Sequence, residues 1–418
     1  MTRLAPRILF VSYGGGHIEM CLPVMKALRH QWPGCEVRLM ALTTAFEVAI
    51  AAGESALGYR DFCDQPDAAL ALAYGEQLLP EQLHPTVSRE ESLAYLGFNF
   101  LEWVKVEGEA QAWARWRIYG RHGFLPIEFF RRVLLREMPD VVVTTNAPRS
   151  EQAAIEAATA LSIPSLSMVD LFALPGDPYR ERSVHATRIT VLAEPARNGL
   201  TSAGIDPSRI FITGNPALDA LAQPEALAAG RDWREALGWQ NQHVIFWAGH
   251  QEPDDAEPAC WAHTGLGQAV QDRLIQWVSE RSDLCLAVRY HPNDWHNFAP
   301  PDAHPRVHWS RPDRDGLLPV LMGSDQVVVQ ATTVGVQAYS AGKRVVSLSF
   351  SPLVQRSGLH YEKLRMAHAA ESLDSLVPTL EQGIGMAGRG GSGSSRCLSA
   401  SNAVAQLIQE LALGEVRS

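Results

Sequence analysis

Near its start the sequence has a pattern that fits one kind of structure: a β-strand, a glycine-rich turn, a helix and a second strand. Residues 7–12 form a short apolar run, and residues 13–17 (YGGGH) follow it directly. Apolar side chains then recur at helical spacing as far as Leu28, and residues 36–42 are apolar again. This order predicts a βαβ unit, in which parallel strands carry the ligand site at their carboxyl ends.

The same alternation of strands and helices continues along the chain. Its length of 418 residues favours two or three domains. We therefore predict an α/β protein with two Rossmann-like domains and a cleft between them. The expected organisation is a first domain at 1–225, a second at 226–384, a flexible Gly- and Ser-rich linker at 385–397 and a C-terminal helix at 398–418 that docks back on the body. The predicted strands are 7–12, 36–42, 140–145, 165–169, 189–192, 210–213, 243–248, 284–290, 326–330 and 344–349.

Composition excludes several classes of function. The formal net charge of −10 and the lack of Lys/Arg-rich runs argue against nucleic-acid binding. The six cysteines show no C-x-x-C spacing, so we predict neither a metal site nor a disulfide framework. No apolar stretch reaches the roughly 20 residues that a membrane span requires. We expect a soluble cytoplasmic protein; peripheral membrane contact and oligomeric state stay open.

The first candidate site is the glycine turn, with Gly14, Gly15, Gly16 and His17 at the start of a predicted helix. Glycines let a ligand approach the backbone, and the unpaired amides of a helix start favour an anion or a polar sugar. Imidazole titrates near neutral pH, so we predict His17 as a general base towards an acceptor hydroxyl. The alternative is a tight turn with a capping histidine.

Two further clusters follow strands of the second domain. His250 and Gln251 come after the first of these strands, and Arg289 and His291 come at and after the next. Their side chains are suited to phosphate oxygens or a base. An exposed loop and a structural histidine are the alternatives.

The most specific cluster stands where a buried strand passes into a helix. Thr332, Thr333, Gly335 and Gln337 combine hydroxyls, a small residue and a helix start, which together suit a diphosphate. The alternative is a helix that a threonine caps. Asn146 and Asn215, each near a predicted strand end of the first domain, are added as candidates for the cleft or an acceptor loop.

These motifs, in this order, resemble the GT-B superfamily, which includes glycosyltransferases and the hydrolysing UDP-N-acetylglucosamine 2-epimerases. The resemblance spans residues 7 to about 349 and rests on 14–23 (GGGHIEMCLP), 210–221 (IFITGNPALDAL) and 332–345. It implies an acceptor domain followed by a donor domain. It also implies a nucleotide-sugar substrate, UDP-linked by preference, a hydroxyl-bearing acceptor as partner, and no cofactor or metal.

The chain departs from the family pattern at several points. Gln251 stands where many epimerase-like chains have arginine, and Gln337 stands where glutamate often holds the ribose. No H-V-E-A-G-type acidic segment is found, and the strand at 140–145 leads to Asn146, so no His–Asp pair is expected. The HP and Thr-Thr motifs also occur in transferases that use CMP-sugars, which keeps the nucleotide open. We therefore predict a metal-independent glycosyltransferase. The alternatives are a nucleotide-sugar 2-epimerase or hydrolase, and a non-catalytic nucleotide-sugar binding protein.

Overall fold

The computed structural model describes residues 5–82, 84–170, 172–182, 184–384 and 399–414, which form two compact units. The first unit takes its described residues from Met1–Asp219 and Leu398–Ser418, and the second takes them from Ala220–Cys397. The flexible linker predicted at 385–397 lies outside the described residues. Each unit is built on its own six-stranded parallel sheet.

The sheet of the first unit has the strand order β2-β1-β3-β4-β5-β6. Its side chains alternate between two cores: Leu9 and Val11 face one, while Ile8 and Phe10 face the other. Burial on both faces explains why these strands read as continuous apolar runs. The strands are β1 (Arg7–Tyr13), β2 (Glu36–Leu42), β3 (Val141–Thr144), β4 (Ser165–Met168), β5 (Arg188–Val191) and β6 (Ile210–Ile212).

Helices cover both faces of this sheet, and a helical, aromatic insert lies between β2 and β3. Tyr59 and Phe129 stack within the insert with ring centroids 4.5 Å apart, as part of a large buried aromatic cluster. The helices are α1 (Gly15–Gln31), α2 (Thr44–Ala51), α3 (Ala68–Leu78), α4 (Arg89–Glu107), α5 (Glu109–Tyr119), α6 (Ile127–Glu137), α7 (Ser150–Ala160), α8 (Pro178–Glu181) and α9 (Glu194–Ser202). None of the described helices is both long and apolar enough to cross a membrane.

The second unit repeats the architecture with the strand order β12-β11-β10-β7-β8-β9. Its strands are β7 (His243–Gly249), β8 (Leu284–Tyr290), β9 (Val307–Trp309), β10 (Gln326–Val329), β11 (Arg344–Leu348) and β12 (His368–Ala370). Its helices are α10 (Pro224–Leu237), α11 (Gly265–Ser279), α12 (Leu317–Gly323), α13 (Val334–Ser340), α14 (Pro352–Ser357) and α15 (Leu373–Glu381).

The last helix, α16 (Ala400–Ala412), packs on the first unit. Val404 and Ile408 are fully buried in the core that α1 shares. The carboxylate of Asp219 accepts hydrogen bonds from the backbone N–H of Ala400 and of Ser401, at 3.0 and 2.8 Å. The predicted fold class, two parallel α/β domains with a C-terminal helix that docks back, is confirmed.

Candidate functional site

The glycine turn after β1 sets the position of His17. Gly14 has φ +93°, a left-handed conformation that favours glycine, and its N–H donates to the carbonyl of Leu42. The Gly15 N–H donates to Oγ1 of Thr44 at 2.9 Å. A side-chain carbon added at Gly14 or Gly16 would meet no atom within 4 Å. The turn therefore leaves open space next to the first turn of α1, where His17 lies.

The imidazole of His17 lies between two carboxylates. Its Nδ1 is 3.6 Å from Oε1 of Glu151, and its Nε2 is 3.7 Å from Oδ2 of Asp170. Burial lowers the pKa of His17, but the two negative charges outweigh it and raise the pKa to about 10. His17 therefore carries a proton at neutral pH, which suits a proton donor better than a general base.

Glu151 is fixed in place by the surrounding backbone and side chains. Its side chain is fully buried at the start of α7. One oxygen accepts from the Tyr13 N–H at 2.7 Å. The other accepts from Thr145 Oγ1 at 2.6 Å and from the Ala147 N–H at 2.8 Å. Because both oxygens are engaged, Glu151 serves to hold the charge and orientation of His17.

Asp170 joins residues that the sequence suggested separately. It follows β4 by two positions, and 30% of its side chain is exposed. Its Oδ1 accepts from Nδ2 of Asn146 at 3.1 Å, and its backbone carbonyl accepts from Nδ2 of Asn215 at 2.9 Å. His17, Asn146 and Asn215 therefore meet at Asp170. The expectation that no His–Asp pair would be found is wrong, because the aspartate follows β4 and not β3.

Two arginines that were not predicted lie at the same edge of the first sheet. The guanidinium of Arg149 stacks 4.6 Å from the ring centre of Tyr13. Arg182 donates to the side-chain oxygen of Gln152 at 2.8 Å and to the carbonyl of Asn146 at 3.2 Å. Burial lowers the pKa of Arg182. Arg182 and Glu151 both line the same small pocket. This edge thus combines carboxylates with cations that suit an anionic ligand.

In the second unit, His250 and His291 come together at the ends of the adjacent strands β7 and β8. Their ring centroids are 4.6 Å apart, and Nδ1 of His250 is 2.9 Å from Oδ2 of Asp294. Burial and the neighbouring His250 lower the pKa of His291. The backbone N–H of Gln251 donates weakly to Oδ2 of Asp294, at 3.4 Å. The two predicted histidines are therefore neighbours, joined by an aspartate that sequence reasoning missed.

A buried carboxylate, Glu252, supports this cluster. It accepts from Nε2 of Gln330, from Oγ of Ser351 at 2.5 Å and from the Leu353 N–H at 2.6 Å. The carbonyl oxygen of the Gln330 side chain in turn accepts from the His250 N–H at 2.7 Å. The ends of β7 and β10 and the start of α14 are thus linked through one polar network.

The remaining predicted residues differ in their surroundings: some are held by hydrogen bonds within the protein, and others have side-chain atoms that no such bond within the described part of the chain engages. Arg289 donates to Oγ of Ser310 and to the carbonyl of Asp315, both at 2.9 Å, so its guanidinium braces the loop after β9. Thr333 is exposed and Thr332 half-buried at the turn between β10 and α13. Oε1 of Gln337 is buried with no hydrogen-bond partner among the described residues.

Gly335 is a packing position against Tyr361. A methyl group there would lie 2.4 Å from the tyrosine ring. The Tyr361 hydroxyl donates to the Thr332 carbonyl at 2.6 Å. The close approach therefore fixes the turn that presents Thr332.

Comparison with known proteins identifies the fold. No family model and no curated protein sequence matches the chain. Among solved structures, a Listeria monocytogenes protein assigned as a UDP-N-acetylglucosamine 2-epimerase has a TM-score of 0.60 at 14% identity, over 99% of this chain and 98% of that one. The UDP-GlcNAc 2-epimerase of Neisseria meningitidis bound to UDP-GlcNAc scores 0.57 at 15% identity, over 98% and 100%. S. aureus MnaA with UDP scores 0.54 at 15%, over 98% of each chain.

These similarities correct the predicted function. The main prediction was a glycosyltransferase, whereas the Listeria and Neisseria structures are UDP-N-acetylglucosamine 2-epimerases by assignment, so they favour the epimerase alternative. At such low identity the comparison establishes the architecture. The chain therefore has the GT-B fold, which it shares with the UDP-N-acetylglucosamine 2-epimerases.

Proposed function

We propose that this chain is an enzyme that inverts C2 of a UDP-linked sugar, with UDP-N-acetylglucosamine as the first substrate to test. The observation that carries the proposal is the position of the His17 imidazole, 3.6 Å from an oxygen of Glu151 and 3.7 Å from an oxygen of Asp170, at the carboxyl edge of the first sheet. The fold shared with UDP-GlcNAc 2-epimerases supports it.

Inversion at a C–H centre needs a group that removes a proton and a group that returns one. Asp170 suits the first role because it is a partly exposed carboxylate, oriented by Asn146. His17 suits the second role because it is protonated at neutral pH. Its positive charge would also stabilise negative charge that develops on a departing diphosphate.

C2 of a pyranose is not adjacent to a carbonyl group, so its proton is not acidic. Removal of that proton is therefore easiest when the bond between C1 and the diphosphate breaks at the same time, which leaves a C1–C2 double bond and free UDP. Because Nε2 of His17 and Oδ2 of Asp170 are 3.7 Å apart, both groups would face the same side of the sugar. The unsaturated sugar would therefore turn over before His17 protonates C2, and UDP or water would add at C1 to complete the inversion. Arg149 and Arg182, at the same edge as His17, would stabilise the charge of the leaving group. For the second unit, we propose that His250, His291, Thr332 and Gln337 contact UDP.

The test is proton exchange at C2 in D2O. The purified chain is incubated with UDP-GlcNAc, and NMR follows deuterium at C2 and the appearance of the manno epimer, free or UDP-linked. Asp170→Asn should lower the exchange rate at least about 100-fold, because a positioned acid or base contributes that much or more. Glu54→Gln changes a half-buried carboxylate that is paired with Arg29, outside the proposed site, and should leave the rate unchanged.

The outcomes separate the alternatives. Release of N-acetylglucosamine without deuterium at C2 would indicate a hydrolase. Binding of UDP-GlcNAc without turnover would indicate a binding protein. If a broad set of UDP-sugars neither bound nor reacted, the proposed function would be wrong.

A further inference from the structure

We propose that His250, His291 and Asp294 bind a first-row divalent transition metal ion, and that this ion contacts the diphosphate of the substrate. The contact between the ion and the diphosphate rests on the proposed function, whereas the metal site itself does not. The spacing of the cysteines predicted no metal site, and these three residues include no cysteine.

The three side chains already have the spacing of a metal site. Each offers one ligand atom, and these atoms all lie within 4.8 Å of one another. Donors bound to one ion at about 2.0–2.2 Å lie about 3–4 Å apart. His250 Nδ1 and Asp294 Oδ2, at 2.9 Å, are already close to that range. Small side-chain rotations would complete the set, without movement of the strands.

The backbone holds these side chains in place before any ion binds. The His250 N–H donates to Gln330 Oε1 at 2.7 Å, and the His291 N–H donates to the Gly249 carbonyl at 3.0 Å. The Asp294 N–H donates to the His291 carbonyl at 2.9 Å. Because the supporting backbone is already ordered, binding an ion costs little further conformational entropy.

The donor set indicates the class of metal. Two imidazole nitrogens and one carboxylate oxygen suit Zn²⁺, Co²⁺, Ni²⁺ or Fe²⁺ better than Mg²⁺ or Ca²⁺, which prefer oxygen ligands alone. Three protein ligands leave at least one coordination position for another group. The site is half-buried, so that an ion can enter and still face a ligand.

The residues of the second unit at this edge supply little positive charge of their own to a diphosphate. Gln251, beside His250, is neutral, and the guanidinium of Arg289 already donates to Ser310 and Asp315. A divalent ion at His250 and His291 would supply the positive charge. Polarising a phosphate oxygen in this way is a common function of bound metal ions.

The metal site is tested with Co²⁺ as the probe. The full chain, without an affinity tag, is titrated with CoCl2 while visible absorption and calorimetry are recorded. We expect one equivalent to bind, and we expect His250→Ala, His291→Ala and Asp294→Asn each to weaken binding at least about tenfold. His263→Asn is the matched control, because His263 also pairs with an aspartate, Asp254, in an exposed position of the same unit.

Circular dichroism of each variant checks that it is folded. Asp294→Asn preserves the size of the side chain and keeps the test valid if a histidine variant misfolds. Absence of one-equivalent binding, or equal binding by the wild type and the folded variants, would overturn the metal site.

A second titration, with UDP, tests the role of the ion. It is run with one equivalent of Zn²⁺ and again with excess EDTA. We expect wild-type affinity for UDP to fall at least about tenfold in EDTA, and His291→Ala to show no such difference. Equal affinity in both conditions would overturn the role of the ion in diphosphate binding and leave the proposed function standing. No UDP binding in either condition would count against the proposed function, while the Co²⁺ titration would still decide the metal site.

Discussion

The protonated His17 has a measurable consequence for the dependence of stability on pH. A rise of its pKa from 6.5 to about 10 corresponds to about 5 kcal/mol at about 1.4 kcal/mol per pKa unit, as an upper bound. The folded state holds this proton more tightly than the unfolded state. The stabilisation is therefore complete below about pH 6.5 and is lost as the pH rises through about 10.

The perturbation is His17→Gln, which removes the titrating group and keeps a polar side chain. At each pH, the free energy of unfolding of the variant is subtracted from that of the wild type. This difference should fall by about 3 kcal/mol between pH 6.5 and 9. Urea unfolding, followed by fluorescence and circular dichroism, measures both proteins at each pH. The transition that the substitution shifts belongs to the first unit.

His122→Gln is the matched control, because His122 is an exposed imidazole of the same unit. Its stability should follow that of the wild type at every pH. A difference between wild type and His17→Gln that stays constant from pH 6.5 to 9 would refute the argument, since it would mean that His17 gains no proton affinity on folding.

Contacts at Glu151, Asp219 and Gly335 give one further prediction each. Glu151→Gln should lower the pKa of His17, which NMR titration of imidazole nitrogens would show; an unchanged titration would mean that Asp170 alone sets it. Asp219→Ala should cost about 1–2 kcal/mol and speed hydrogen exchange in α16, because it removes the acceptor for the first amides of that helix; unchanged exchange would contradict this. Gly335→Ala should cost about 1–3 kcal/mol, since a methyl group meets the Tyr361 ring at 2.4 Å. Gly316→Ala, whose nearest contact would be 3.4 Å, should cost less in thermal unfolding.

Central strands were predictable because burial on both faces leaves an uninterrupted apolar run. The predicted strands at 36–42 and 284–290 agree with β2 and β8 at both ends. Two strands were not predicted, β9 and β12, each of three residues at an edge of the second sheet. A run this short at an edge carries too few apolar side chains to differ from a loop.

The candidate sites were only partly predictable, because sequence motifs do not show which loops meet. His17, Asn146 and Asn215 were chosen as candidates from glycine turns and strand ends, and the structure brings them together at Asp170. The carboxylates that join them were missed. Glu151 reads as a surface residue of an alanine- and glutamate-rich helix, yet its side chain is fully buried. Asp170 follows a strand that gave no motif, and only the parallel order of β1, β3 and β4 brings it to His17.

The return of α16 to the first unit affects how the chain folds during synthesis. The second unit comes from one continuous stretch of sequence, whereas the first needs segments from both sides of that stretch. At about 5–20 residues per second, the ribosome takes roughly 10 to 40 s to translate the stretch between them. During that time the apolar face of α1 lacks its partner helix. The second unit can therefore finish folding first, and the nascent first unit is the part most exposed to chaperones and aggregation.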